Sequence, residues 1–194
     1  MRTRLAQLRH RPHAKPFDQR AQSHRRHAVH LAELASARGQ LALQALRGVQ
    51  LIAAMTLVAE IQDFWRFANP RQLMAYLGLV PCEDSSGPRR RQGVITKAGN
   101  APARRMLVET AHQYRLAARV SPSIARRQSD LELPKAVTDI AWNAQTRLCS
   151  RFRRLSARRL PHNKIVVAVA RELCGFVWAI ARQVTPEPSL PQAT

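Results

Sequence analysis

From residue 31 onward the apolar residues of this chain recur at intervals of three and four, and one stretch, residues 80–100, interrupts that rhythm. Such spacing puts the apolar side chains on one face of a 3.6-residue helix, whereas a strand would need alternation. Leu31, Leu34, Leu41, Leu43 and Leu46, set among Ala, Glu and Gln, predict a first helix whose weak point is Gly39. Leu46-Arg47-Gly48-Val49-Gln50 reads as a turn, and LIAAMTLVAEI after it as a second helix, apolar enough to be largely buried. The start is therefore helix-hairpin-helix-like. Two duties for Gly48 stay open: closing a helical hairpin, or letting backbone N–H groups at a helix N-terminus meet a phosphate.

Further on, Asn69 can cap a helix with Pro70 in its first position, giving a buried stripe of Leu73, Tyr76 and Leu77. Residues 80–100, VPCEDSSGPRRRQGVITKAGN, then carry Pro81, Gly87, Pro88, Gly93 and Gly99, which predict a long loop or a small hairpin. Val94-Ile95-Thr96 is the one strand signal. Asn100 caps the next helix, with Pro102 in its first turn and the run extending to Val120. Met106, Leu107, Thr110, Ala111 and Tyr114 should face inward, and Arg104, Arg105 and Arg115 outward. A polar linker to Pro134 follows. Residues 135–155 then show an apolar stripe opposite arginines, and residues 162–184 are apolar nearly all round, as a helix buried among others would be. The expected class is all-α over 31–183, with a basic, disordered arm at 1–30 and a disordered tail at 184–194.

Thirty-two Lys+Arg against 12 Asp+Glu leave a formal charge of +20, which calls for a polyanion, and nucleic acid is the default. Cys82, Cys149 and Cys174 are too scattered for a disulfide framework or a zinc site. His24, His27 and His30 recur every third residue without an acidic or thiol companion, so no metal site is expected there. Glu60, Asp63, Glu83, Asp84 and Glu109 are too dispersed to hold catalytic divalent ions, and no cofactor is expected in this chain. No phosphate-binding, zinc-protease or hydrolase motif is present, and no apolar run has the length of a signal peptide or a membrane helix, which predicts a cytoplasmic protein. Ser85-Ser86-Gly87 beside Arg89-Arg90-Arg91 can be read in two ways. A serine hydroxyl attacking a phosphodiester needs cations near the non-bridging oxygens, and turn chemistry also favours these residues.

The string GLVPCEDSSGPRRRQGVITKAGN, preceded by AEIQDFWRFANPRQLMAYL and followed by ARRMLVETAHQYR, IAWNAQTRLCSRFRRL and KIVVAVARELCGFVWAI, resembles the C-terminal domain of insertion-sequence transposases of the one-ten, one-sixteen and nine-oh-two group. The resemblance runs from about Leu43 to Gln183. It implies a recombinase that pairs an N-terminal RNase-H-like domain, with acidic ligands for Mg, with a C-terminal domain supplying a nucleophilic serine, and some members are guided by RNA. Placed on the family's serine-glycine pair, Ser86 is the implied nucleophile and Ser85 its rival. Arg89, Arg90, Arg91, Lys97 and Asn100 are the implied nucleic-acid contacts, with Gly48 added from the hairpin. Residues 1–42 do not look like the family's acidic domain, so a truncated or frameshifted start, inactive alone, is expected. The partners implied are DNA, a guide RNA, further copies of the chain and a full-length transposase. A non-catalytic basic binding module and an inactive transposon remnant are the alternatives.

Overall fold

Helices form wherever the apolar period is sustained, and three of them begin at an Asn or Ser whose side chain accepts a free N–H, with Pro in the first turn. The computed structural model describes residues 37–84 and 91–184, all within the unit of the chain that begins at Leu34. Helix α1 covers residues 37–43. A run of i→i+3 turns, Gln44 N–H to Leu41, Ala45 to Ala42 and Leu46 to Leu43, leads through Gly48 into α2, Leu51–Ile61. In α3, Pro70–Tyr76, the Asn69 side chain accepts from the Gln72 N–H, and Pro70 occupies the first turn as expected. Helix α4, Ala101–Ala111, passes into a 3-10 turn, His112–Arg115. Then come α5, Pro122–Asp130, α6, Lys135–Ala157, and α7, His162–Val184.

The core is built around α7, which packs on α3, α4 and α6, while α2 lies on α4. Leu57, Ile61, Leu73, Leu107, Leu148, Leu173 and Ile180 are fully buried within it. No residue of α7 from Ile165 to Arg182 is exposed, in line with its apolar girth. The stripe expected on α6 is buried at Val137, Ala141, Ala144, Leu148, Phe152 and Leu155. Among the described residues no helix is long and apolar enough to cross a membrane.

Several local expectations are corrected. Helix α2 is only half buried: Leu51, Ile52 and Met55 are exposed, because its neighbours cover the face of Ala54, Leu57, Val58 and Ile61 alone. The helix after Asn100 stops well short of Val120. The extended segment beyond Leu116 is held instead by side chains: Arg47 donates to the Ala117 carbonyl at 2.8 Å and Gln145 donates to that of Arg119. These tertiary donors satisfy two carbonyls of the extended segment. Ser121 does not end a helix but starts one, accepting from the Ile124 N–H at 3.3 Å, so the polar linker contains α5.

The connection between α2 and α3 is fastened by aromatic rings and arginines. Trp178 of α7 donates to the Phe67 carbonyl at 3.0 Å, and Arg182 lies 3.8 Å from the Trp65 ring centroid and 4.8 Å from that of Trp178. Arg66 lies over both Phe67 and Tyr76, at 4.6 and 4.4 Å. Contacts of this kind hold a loop by quadrupole attraction as well as by area.

At the end of α6 the Leu160 N–H reaches the Leu155 carbonyl and the Arg159 N–H that of Ser156. Arg159 stands in the left-handed position of this turn at φ 52°. Glycine suits such a position, and an L side chain there costs about 1–2 kcal/mol.

Candidate nucleic-acid interface

The stretch that broke the helical rhythm is an antiparallel hairpin, β1 (Pro81–Asp84) with β2 (Arg91–Ile95), rising from between α3 and α4. Pro81 pairs with Ile95, Glu83 with Gln92 and Asp84 with Arg91. Between those pairs Cys82 faces two residues, Gly93 and Val94, so β2 carries a bulge. The ladder continues below the strands: Thr96 N–H donates to the Val80 carbonyl at 2.9 Å, Lys97 to Gly78 at 3.1 Å and Asn100 to Tyr76 at 3.1 Å.

This zipped base depends on two glycines. Gly78 has φ +65°, and a β-carbon there would collide with the Ala98 backbone. Gly99 has φ +130°, where a β-carbon would strike the Tyr76 carbonyl oxygen. Only glycine lets the chain leaving α3 and the chain entering α4 come this close.

A side-chain clasp locks the same place. Asn100 accepts the Ala103 N–H at 2.9 Å through Oδ1, capping α4, and through Nδ2 donates to Glu60 Oε2 at 2.6 Å. Tyr76 donates through its hydroxyl to the Glu60 carbonyl at 3.1 Å. Arg104, expected to point outward, instead donates to the Leu77 carbonyl at 2.9 Å and satisfies the end of α3. The ends of α2, α3 and the start of α4 are thereby joined at the foot of the hairpin. Glu60, weighed in the sequence only as a metal ligand, takes a different role here, and a carboxylate forty positions from Asn100 gives no sign of this pairing.

The expected site residues fall in different places. Lys97 and Asn100 come together at the hairpin base, Lys97 exposed and left-handed at φ 55°, Asn100 half-buried with both side-chain groups engaged. Arg91 enters β2 opposite Asp84, so its backbone is fixed at the outer end of the stem. Ser85, Ser86, Gly87, Pro88, Arg89 and Arg90 lie outside the described residues. Gly48 is not at the hairpin. At φ +82° it packs on Thr110 and Gln113, at the opposite end of α4 from Asn100, roughly 15 Å along the helix axis. A β-carbon there would lie 2.7 Å from Gln113 Cγ, which gives the glycine a packing reason.

Burial governs the thiols and one phenol. Cys174 is pushed up to about 12 by burial, and Cys149 is raised by burial against the opposing pull of Arg47. Tyr114 is likewise raised by burial, and its hydroxyl has no partner among the described residues. Cys82 is exposed. No group of three or more His, Cys, Asp or Glu side chains among the described residues could hold a metal ion, so these residues do not fit the Mg expected in the family.

Residues 40–129 match the model of the transposase IS116/IS110/IS902 family. The chain is 52% identical over 142 residues to a Sinorhizobium fredii protein described as a transposase, y4qE, covering 73% of this chain and 36% of that protein. It is 29% identical over 143 residues to a Pseudomonas aeruginosa protein described as a family 20 transposase, covering 74% of this chain and 35% of the relative. Over 69 residues it is 36% identical to the Coxiella burnetii transposase for insertion sequence element IS1111A, covering 36% of this chain and 19% of that protein. Over the matched region this chain belongs to the IS116/IS110/IS902 family of insertion-sequence transposases. It spans about a third of the length of the first two relatives.

Proposed function

We propose that this chain is a DNA-binding part of an insertion-sequence transposase, in which the hairpin presents Ser86 to a DNA phosphodiester. The observation that carries this is the rigid hairpin base. Gly78, Gly99 and the Glu60–Tyr76–Asn100 clasp fix both ends of the segment that bears Ser85, Ser86 and the arginines. A nucleophile gains most from being held in register with its target, since orientation removes much of the entropic barrier.

In the chemistry proposed, the Ser86 oxygen forms a bond to phosphorus as the bridging oxygen of one strand leaves. The serine proton passes to solvent, and the leaving oxygen takes one up. Arg89, Arg90 and Arg91 offset charge on the non-bridging oxygens, and Lys97 holds a neighbouring phosphate. The described residues offer no metal cluster, and none of these steps is assigned to a metal.

The test mixes this chain with a full-length relative and DNA carrying the element's ends, and looks for a protein–DNA adduct that survives denaturation. An adduct lost in Ser86→Ala and kept in Ser85→Ala is expected. Loss in Ser85→Ala instead moves the nucleophile by one residue. Binding without any adduct, unchanged by Ser86→Ala, points to a non-catalytic binding module and refutes the serine chemistry. A guide RNA and copies of the chain belong to the same proposal: RNA that co-purifies and survives DNase, and a mass above the monomer in light scattering, are the expected findings.

A further inference from the structure

We infer that the corner between α6 and α7 is a second phosphate-binding surface, separate from the hairpin, that takes the backbone of duplex DNA. This rests on the reading that the chain binds DNA, and it adds a place no family residue assigns.

Residues 151–164, RFRRLSARRLPHNK, hold Arg151, Arg153, Arg154, Arg158, Arg159 and Lys164 and no acidic residue. Arg151 is used internally, 3.3 Å from Glu172, which Arg147 also approaches at 3.2 Å. The other five are exposed and form no ion pair among the described residues. Two helical cations elsewhere on the surface do find acids one turn away, Arg105–Glu109 and Lys135–Asp139, both at 2.7 Å. The charge of α6 is thus compensated at Lys135, Arg147 and Arg151 and, among the described residues, uncompensated from Arg153 onward.

The backbone beneath these cations is fixed by the closing turns of α6, the Leu160-to-Leu155 hydrogen bond and the opening of α7. Arg153 and Arg154 stand near the end of α6 and Arg158 and Arg159 in the turn that closes it, so the four cations gather at one corner of the fold. Lys164 lies in the first turn of α7, which holds no acid. Positive side chains at the positive end of a helix dipole repel it, and an anion placed there relieves the repulsion.

The corner shows no Phe, Tyr or Trp ring to solvent: Phe152 is 6% exposed, and the His162 ring is engaged with that of His112, centroids 5.2 Å apart. Single strands are gripped by stacked bases on exposed aromatics, whereas a duplex shows its phosphates and hides its bases. Cations without aromatics therefore favour a duplex.

The experiment measures binding of duplex DNA from roughly 50 to 200 mM salt. It compares the wild type, a corner variant (Arg153→Gln, Arg154→Gln, Arg158→Gln and Arg159→Gln together), a tip variant (Arg89→Ala, Arg90→Ala and Arg91→Ala together) and Arg159→Gly, each checked for folding by circular dichroism. The corner variant is expected to shed about 3–4 from the slope of log K against log salt, at about 0.9 per phosphate contact, with the tip variant retaining that share. Arg159→Gly relaxes the left-handed residue, so it should melt higher than wild type yet lose about 1 from the slope. A merely structural arginine would not separate those two effects. A corner variant with the wild-type slope, or Arg159→Gly with an unchanged slope, overturns this inference alone. Preference for single strands or for duplex RNA over duplex DNA overturns the choice of ligand. A wild type that binds no nucleic acid overturns both this inference and the DNA-binding reading.

Discussion

Replacing Asn100 by Asp tests the clasp at the foot of the hairpin more sharply than deleting it. Asn100 does two things, capping α4 through Oδ1 and donating to Glu60 Oε2 at 2.6 Å through Nδ2. Asn100→Ala loses both: about 1 kcal/mol for the cap and about 1.5–3 kcal/mol for a hydrogen bond to a charged group. Both residues are half-buried, so a total of about 2–3 kcal/mol is expected after partial resolvation. Asn100→Asp keeps the cap, since Asp serves that position as well as Asn, but sets a carboxylate against Glu60. Like charges about 3 Å apart at an effective dielectric of about 20 repel by up to ~5 kcal/mol, which solvent reduces to about 2–3 kcal/mol. At neutral pH the Asp variant, which also loses the donation to Glu60, should therefore melt at least as low as the Ala variant, whose own deficit is roughly 4–12 °C. As pH falls through the carboxylate range one of the two acids protonates and donates to the other, so the Asp deficit should shrink while the Ala deficit persists. Adding Glu60→Gln restores a donor and should recover most of the loss at neutral pH. The assay is urea unfolding followed by circular dichroism from pH 4 to about 7, with transition midpoints read at each step. An Asp deficit that does not change with pH, or that Glu60→Gln fails to repair, would refute the clasp.

Glycines at contrasting sites should respond with opposite sign. Gly99→Ala, forced into a φ of +130° against the Tyr76 carbonyl, should destabilise by about 2–4 kcal/mol, whereas Gly175→Ala, in the middle of α7 with nothing nearer than 3.8 Å, should stabilise by about 0.5–1 kcal/mol. Equal effects in thermal melts would show that the hairpin base is not as tight as described. Alkaline unfolding tests the buried thiol at Cys174. Its folded pKa, pushed to about 12 from the ordinary 9, makes its contribution complete below pH 9 and progressively lost as pH rises toward 12, on the order of 4 kcal/mol in all. Cys174→Ala should flatten that alkaline limb, and an unchanged limb would assign it to other groups. Under native conditions a thiol reagent should label exposed Cys82 at once and buried Cys149 and Cys174 only after unfolding, as peptide mass mapping would report. Prompt labelling of either buried thiol would contradict the packing of α6 on α7.

Periodicity, caps and charge lie in the local sequence, so the sequence alone determined the helical class, the Asn69 and Asn100 caps, the inward stripe of α6, the buried character of α7 and the break between residues 80 and 100. A cap needs only a side chain one turn from the N–H it accepts, and an amphipathic stripe needs only spacing. The family resemblance was legible from the same break, whose residues carry its pattern. Where two segments meet, sequence gave no purchase. Whether residues 80–100 formed a loop or a hairpin was settled by the backbone approach at Gly78 and Gly99, and the extended segment after the helix that Asn100 caps is held by Arg47 and Gln145, far away in sequence. Only the tertiary structure set Glu60 on Asn100, turned Arg104 inward, left one face of α2 bare and sent Gly48 to the far end of α4. The division is physical: a helix is closed by hydrogen bonds four residues apart, and every one of these tertiary features joins groups separated by many turns, whose meeting depends on the packing of the whole.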